Sequence, residues 1–248
     1  VLSKVVTDSK RTEVFARYSI VGSVLAALGS LAIALPAALA ALAALPDKGS
    51  MKAMFLLYAL LGLAAALSYR GLPRALESTA QAPAAPLQRS RKTFYLLAAL
   101  FSLDAFGGGF VVQSMVALWL YQRFDLSLAA AGTIFFWTGL LAALSFLAAV
   151  RIANRFGLVN TMVFTHLPAN LCLVAIPFLP DLGWVIALLF VRAALSQMDV
   201  PTRSSYVMAI VAPAERAAAA SITSVPRSLA SAISPALAGY LLGISSFG

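Results

Sequence analysis

The sequence predicts an all-α membrane protein with seven transmembrane helices, and three observations lead there. Hydrophobic residues fill 61% of the 248 positions. Charged residues fill only 11%, far below the roughly 25% of soluble domains, and the mean hydropathy is +0.91. The apolar residues also fall into runs of about 20, the length that crosses a bilayer.

The runs extend over about Arg17 to Leu45, Lys52 to Tyr69, Thr93 to Tyr121, Ser127 to Arg151, Leu158 to Leu179, Leu182 to Val211 and Ala214 to Leu242. Each is ended by turn formers or charge. "LPDKGS" closes the first, "RFDLS" the third, "RIANRFG" the fourth, "LPDLG" the fifth and "VAPAE" the sixth. The second is followed by the longest linker, "RGLPRALESTAQAPAAPLQRSRK", whose Ala, Pro and polar residues within a basic rim suit a flexible connection. No charged leader with a cleavage site precedes the first run, so no signal peptide is expected.

Successive loops must lie on alternate sides of the membrane, which sorts the 18 cations. Lys4, Lys10, Arg11, Arg17, Arg70, Arg74, Arg89, Arg91, Lys92, Arg151, Arg155 and Arg216 share one side, against Lys48, Lys52 and Arg123 on the other. The excess of Lys and Arg marks the cytoplasmic side, so the N-terminus and the Leu72 to Arg91 loop are expected there. The net charge of +9 therefore reflects topology. A nucleic-acid binder needs its basic residues clustered on an exposed polar face, and none is expected.

Cys172, the single cysteine, lies in an apolar run, where it reads as packing. His166, the single histidine, has no second His and no nearby carboxylate in sequence, so it reads as a bundle-facing residue and no metal site is expected. No cofactor is expected. Neither a set of nucleophile, base and orienter nor a Gly-rich phosphate loop occurs, so the chain does not read as an enzyme. A retinal pump needs a deep Lys, yet no Lys follows Lys92.

The first and last runs open alike, "KRTEVFARYSIVGSVLAALGSLAIAL" against "ERAAAASITSVPRSLASAISPALAGYL", with Arg11 aligned on Arg216. Such a spacing suits two six-helix halves related by a parallel repeat. Three stretches carry a wider likeness: "FARYSIVGSVLAALGSLA", "RIANRFGLVNTM" and "SQMDVPTRSSYVMAIVAPAERAAAASITSVPRSLA". In these the chain resembles the major facilitator superfamily from its fifth helix to its eleventh.

The resemblance implies a partial bundle of that type. Residues 1–71 would be the last two helices of the N-terminal half, 72–92 the central cytoplasmic loop and 93–248 the first five helices of the C-terminal half. It also implies that helices one to four and twelve belong to a longer protein. The second stretch is similar to the family's cytoplasmic signature, Gly-x-x-x-Asp-Arg-x-Gly-Arg. Arg155 and Gly157 match it, while Asn154 replaces the Asp, Val150 the first Gly and Leu158 the last basic residue. Asn154 can accept hydrogen bonds from a neighbouring helix start but lacks the charge that adds dipole attraction, which implies a weaker gate.

Buried charges single out the candidate site. A charge in the hydrocarbon layer costs about 2.5 to 3.5 kcal/mol on insertion scales and faces the bundle interior or a cavity. At about 100° per residue, Arg192, Ser196, Asp199, Arg203 and Tyr206 share one stripe of a continuous helix. By helical rise Arg192 lies roughly 15 Å from the outer edge, near the midplane. Pro201 is expected to bend this helix. In "FSLDAFGGGF", Asp104 reaches a similar depth, and Gly107 and Gly108 share its face, where they leave space or allow close packing beside it.

By the resemblance these two runs are the seventh and tenth helices, which line the family's central cavity. Asp104, Arg192, Asp199 and Arg203 are thus the expected substrate- or proton-binding residues. Asp104 is the proton or cation site, and Arg192 binds an anionic group or tunes that carboxylate. Arg227, in "SVPRSLA", joins Asn154, Arg155, Gly157 and Pro201 as gating or structural residues. The alternative is that these charges pair only to stabilise the bundle.

The expected function is a secondary transporter of the bacterial inner membrane. It moves a small solute by alternating access as a proton-coupled antiporter directed to efflux. An uptake permease of the same fold and a non-transporting fragment are the alternatives.

Overall fold

The computed structural model describes residues 11–43, 47–71, 91–211 and 215–244, and within them the regular structure is helical throughout. The Leu72 to Arg91 linker, up to residue 90, lies outside the described residues. So do Lys4, Lys10, Arg74 and Arg89.

The first crossing is α1 (Arg11–Leu31), a short 3-10 turn (Ala32–Ala34) and α2 (Leu35–Ala43); the second is α3 (Asp47–Arg70). The third is divided into α4 (Arg91–Gly109) and α5 (Gln113–Phe124), and α6 (Leu128–Phe156) is the fourth. The fifth is α7 (Leu158–Ala175), ending in a 3-10 turn (Ile176–Phe178). The sixth is divided into α8 (Leu182–Ser196) and α9 (Asp199–Ala209), and α10 (Arg216–Ile244) is the seventh.

Six of these crossings are long and apolar enough to span a membrane. The seventh, α10, has the length at 29 residues, but its serines, prolines and arginines dilute its apolarity.

Local chemistry sets the ends. Ser127 caps α6, its hydroxyl accepting from the Ala130 N–H at 3.2 Å, which satisfies one of the free donors of a helix start. Gly157 ends α6 at φ 88°, a backbone conformation that side chains other than hydrogen rarely take. Pro201 explains the division between α8 and α9: its ring clashes with the carbonyl four residues back, that of Gln197, where the helix stops. The expected bend takes the form of a two-residue turn at Gln197 and Met198, both still in the right-handed helical region, with Met198 N–H donating to the Leu195 carbonyl and Val200 N–H to that of Gln197.

Two close approaches tie the bundle together. On α6, an added Cβ at Gly139 would lie 2.8 Å from the Ala27 Cβ of α1, and Gly132, two turns away, meets Ser30 and Ile33 in the same manner. Between α4 and α10, the Ser234 hydroxyl donates to the Phe106 carbonyl at 2.5 Å, and Gly109 leaves the room that Ser234 fills. These are the small-residue contacts that let membrane helices pack without a hydrophobic driving force.

Among the described residues the apolar core falls into three clusters, the smallest of them Ala117, Ala131 and Phe135 between α5 and α6. Phe94, Val207, Val211 and Ala219 join α4, α9 and α10 near one end. Leu120, Ile134, Ile176, Val185 and Leu189 join α5 to α8 near the other. The polar layer lies between them.

Candidate functional site

Asp104, about three quarters of the way along α4, is the centre of that layer. Its Oδ1 is 2.7 Å from His166 Nε2 on α7, and its Oδ2 is 3.5 Å from the Arg203 guanidinium on α9. The same Arg203 Nη1 reaches Asp199 Oδ2 at 3.2 Å one turn earlier on α9. One carboxylate thus bridges three helices, and one guanidinium bridges two carboxylates. Asp199 is buried at 7% exposure, so its charge depends on that guanidinium. The Phe101 ring covers Arg203, centroid to guanidinium carbon 5.4 Å, adding a cation–π contact.

His166 Nδ1 is buried without a partner. Nε2–H can donate to Asp104 from the neutral ring and from the charged ring alike. In the neutral ring Nδ1 is the open position for a proton. Arg227 on α10 lies within electrostatic range of Asp104, Asp199 and Arg203 but pairs with none of them.

The sequence reading of His166 is corrected here: a carboxylate does face it, 62 residues away in the chain. A signal was present. Counted from the helix ends on one side of the membrane, His166 lies about 12 Å in and Asp199 about 15 Å, by a rise of 1.5 Å per residue. They share a layer with Asp104.

Arg192 stands apart. No hydrogen bond or ion pair joins it to Asp104, and its Nε is buried without a partner. The turn at Gln197 and Met198 lies between Arg192 and the Asp199–Arg203 pair, and Arg192 shares no ion pair with them. Arg192 instead lines a cavity of about 650 Å³ between α1, α6, α8 and the start of α5. Ser23, Ser30, Gln113, Thr138, Ser196 and Gln197 supply its other polar groups. Gly107 and Gly108 are exposed, and an added Cβ at either would meet nothing within 4 Å. A smaller apolar cavity of about 310 Å³ lies beyond Val111, which lines both.

Residues 1–235 match the family model described as Major Facilitator Superfamily. The chain belongs to the major facilitator superfamily. As a facilitator it is a multi-pass membrane protein of a transporter family. It is also similar to a protein of Saccharomyces cerevisiae described as an uncharacterized membrane protein, 26% identical over 146 residues. That alignment covers 58% of this chain and 33% of the yeast protein, so the chain spans about a third of that relative's length. No solved structure matches.

In this facilitator the signature-like turn lies between α6 and α7. Gly157 makes the turn with its positive φ. Arg155 is exposed, its guanidinium 5.3 Å from the centre of the Phe156 ring. Asn154 is exposed and makes no hydrogen bond, so the described residues do not join it to a neighbouring helix start.

Proposed function

We propose that this facilitator moves a small solute by alternating access, coupled to protons, with Asp104 as the residue that takes up and releases the proton. The observation that carries the reading is the Asp104 carboxylate between His166 on α7 and Arg203 on α9. While Asp104 is ionised, its two oxygens hold α4 to both helices. A proton on Asp104 removes the charge from those contacts and weakens the tie. A protonation that favours one arrangement over another shifts the balance of inward and outward states by that difference. Arg203 keeps Asp199 as its partner throughout, so the step strands no cation in the layer.

The proposed direction is efflux, as an antiporter. The same geometry serves uptake, and the sign of the flux separates the two. Arg227 faces the layer from α10 and is proposed to move with the gate. The cation asymmetry supports an orientation with the 72–92 loop in the cytoplasm, and helices outside this chain are proposed to complete the bundle.

The test is substrate flux by the full-length protein in proteoliposomes under an imposed pH gradient, with a compound panel to find the solute. Wild type should move a solute uphill as protons run downhill, and Asp104→Asn should not. Uphill flux by Asp104→Asn at the wild-type rate would reduce the cluster to a brace between helices.

A further inference from the structure

We infer that the cavity between α1, α6 and α8 receives a carboxylate group of the transported solute, with Arg192 as its counter-charge. The inference rests on the transporter reading above and adds the class of solute, a small organic carboxylate.

Three observations converge on one wall. Arg192 Nε is buried and unpartnered. Ser196, one turn further along α8, is 7% exposed, and its hydroxyl is also buried and unpartnered. Both residues line the cavity, with Gln197 following. A guanidinium at this depth is expensive to hold without an anion. Arg203 has two carboxylates for that purpose, whereas no Asp or Glu lines the Arg192 cavity. The missing anion can therefore come with the solute.

Size and chemistry narrow the class. About 650 Å³ lies in the range of small-molecule pockets. The lining also includes the small, neutral residues Ala27, Gly139 and Ala142. One guanidinium matches one carboxylate through paired N–H donors, and a doubly charged phosphate would find no second cation among the lining residues. The hydroxyl of Ser196 and the amides of Gln113 and Gln197 suit further oxygens on the solute.

Binding and flux are measured separately on purified full-length protein. Calorimetric titration uses benzoate and lactate, their neutral amides benzamide and lactamide, inorganic phosphate, and phosphatidylglycerol in mixed micelles. The carboxylates should bind at least ten-fold more tightly than the amides. Arg192→Gln should remove that preference, Arg192→Lys should keep part of it, and Ser196→Ala should weaken carboxylate binding several-fold.

Equal binding of acid and amide, or carboxylate binding unchanged in Arg192→Gln, would overturn the inference. So would a preference for phosphate or for the anionic lipid over both carboxylates. Arg192-dependent carboxylate binding without flux of any bound solute would keep the site and overturn the transporter reading. Uphill flux of a neutral solute at the wild-type rate in Arg192→Gln would keep the transporter and overturn the site.

Discussion

His166 and Asp104 are 62 residues apart in sequence and 2.7 Å apart in space, Nε2 to Oδ1. Around that contact the three helices α4, α7 and α9 meet, and Arg203 closes the group from the other side of the carboxylate. A bridge with a titratable group at each end can hold helices together in one protonation state and release them in another.

Asp104→Asn keeps the shape of the side chain and removes its titration. Membrane insertion and expression should match wild type, while proton-driven flux is lost by at least about 100-fold, the lower end of what a positioned proton-transfer group supplies. Flux in proteoliposomes, with and without a pH gradient, is the measurement. Retention of gradient-driven flux would remove the proton from Asp104.

At position 166, Gln supplies an N–H donor to Asp104 but has no site for a second proton. His166→Gln should therefore retain the fold and thermal stability better than His166→Leu, and both should change the pH profile of flux. If both variants keep the wild-type profile, His166 serves only to orient Asp104.

The crossings were legible in the sequence because each must present an apolar run as long as the bilayer is thick, and polar or turn-forming residues must end it. The interruptions inside the third and sixth crossings were harder to see. Phe110–Val112 and Gln197–Met198 carry no charged turn, and only Gly107–Gly109 and Pro201 hinted at them. Asp104, Asp199 and Arg203 were visible because a charge in an apolar run has few places to go. His166 was not, since a lone His gains meaning only when a distant helix brings it a carboxylate.

Arg203→Leu leaves Asp199 and Asp104 in one layer without the cation between them. Removing one partner of a buried ion pair costs about 3 to 5 kcal/mol, so the unfolding temperature in detergent should drop sharply. The double variant Arg203→Leu with Asp199→Asn removes one of the stranded charges as well and should recover a clear part of the loss. Equal destabilisation by single and double variants would show that Asp199 does not depend on Arg203.

Gly139 and Gly107 make a matched pair of tests. A Cβ at Gly139 falls 2.8 Å from the Ala27 Cβ, whereas one at Gly107 meets nothing within 4 Å. Gly139→Leu should separate α1 from α6 and destabilise by about 1 to 3 kcal/mol or more, as overpacking does. Gly107→Ala should be neutral or slightly stabilising, because Ala favours the helix over Gly. Thermal unfolding of both variants decides, and an unaffected Gly139→Leu would mean that the α1–α6 seam is looser than the structure shows.

The orientation is tested at Ser78. With Cys172 removed and cysteine placed at 78, a membrane-impermeant maleimide should label the protein in inside-out vesicles but not in intact cells. Labelling in intact cells would invert the topology.

The interrupted sixth crossing has a consequence for hydration. Backbone N–H and C=O groups freed within a bilayer are tolerated only where protein covers them or water reaches them, and Ser196 and Gln197, at the break, line the large cavity. A polar space of about 650 Å³ has room for on the order of twenty waters at about 30 Å³ each. Water filling that space would stand two residues along the chain from Asp199. With water there, the barrier to a proton would rest on the apolar clusters outside that space and would be thinner than the bilayer.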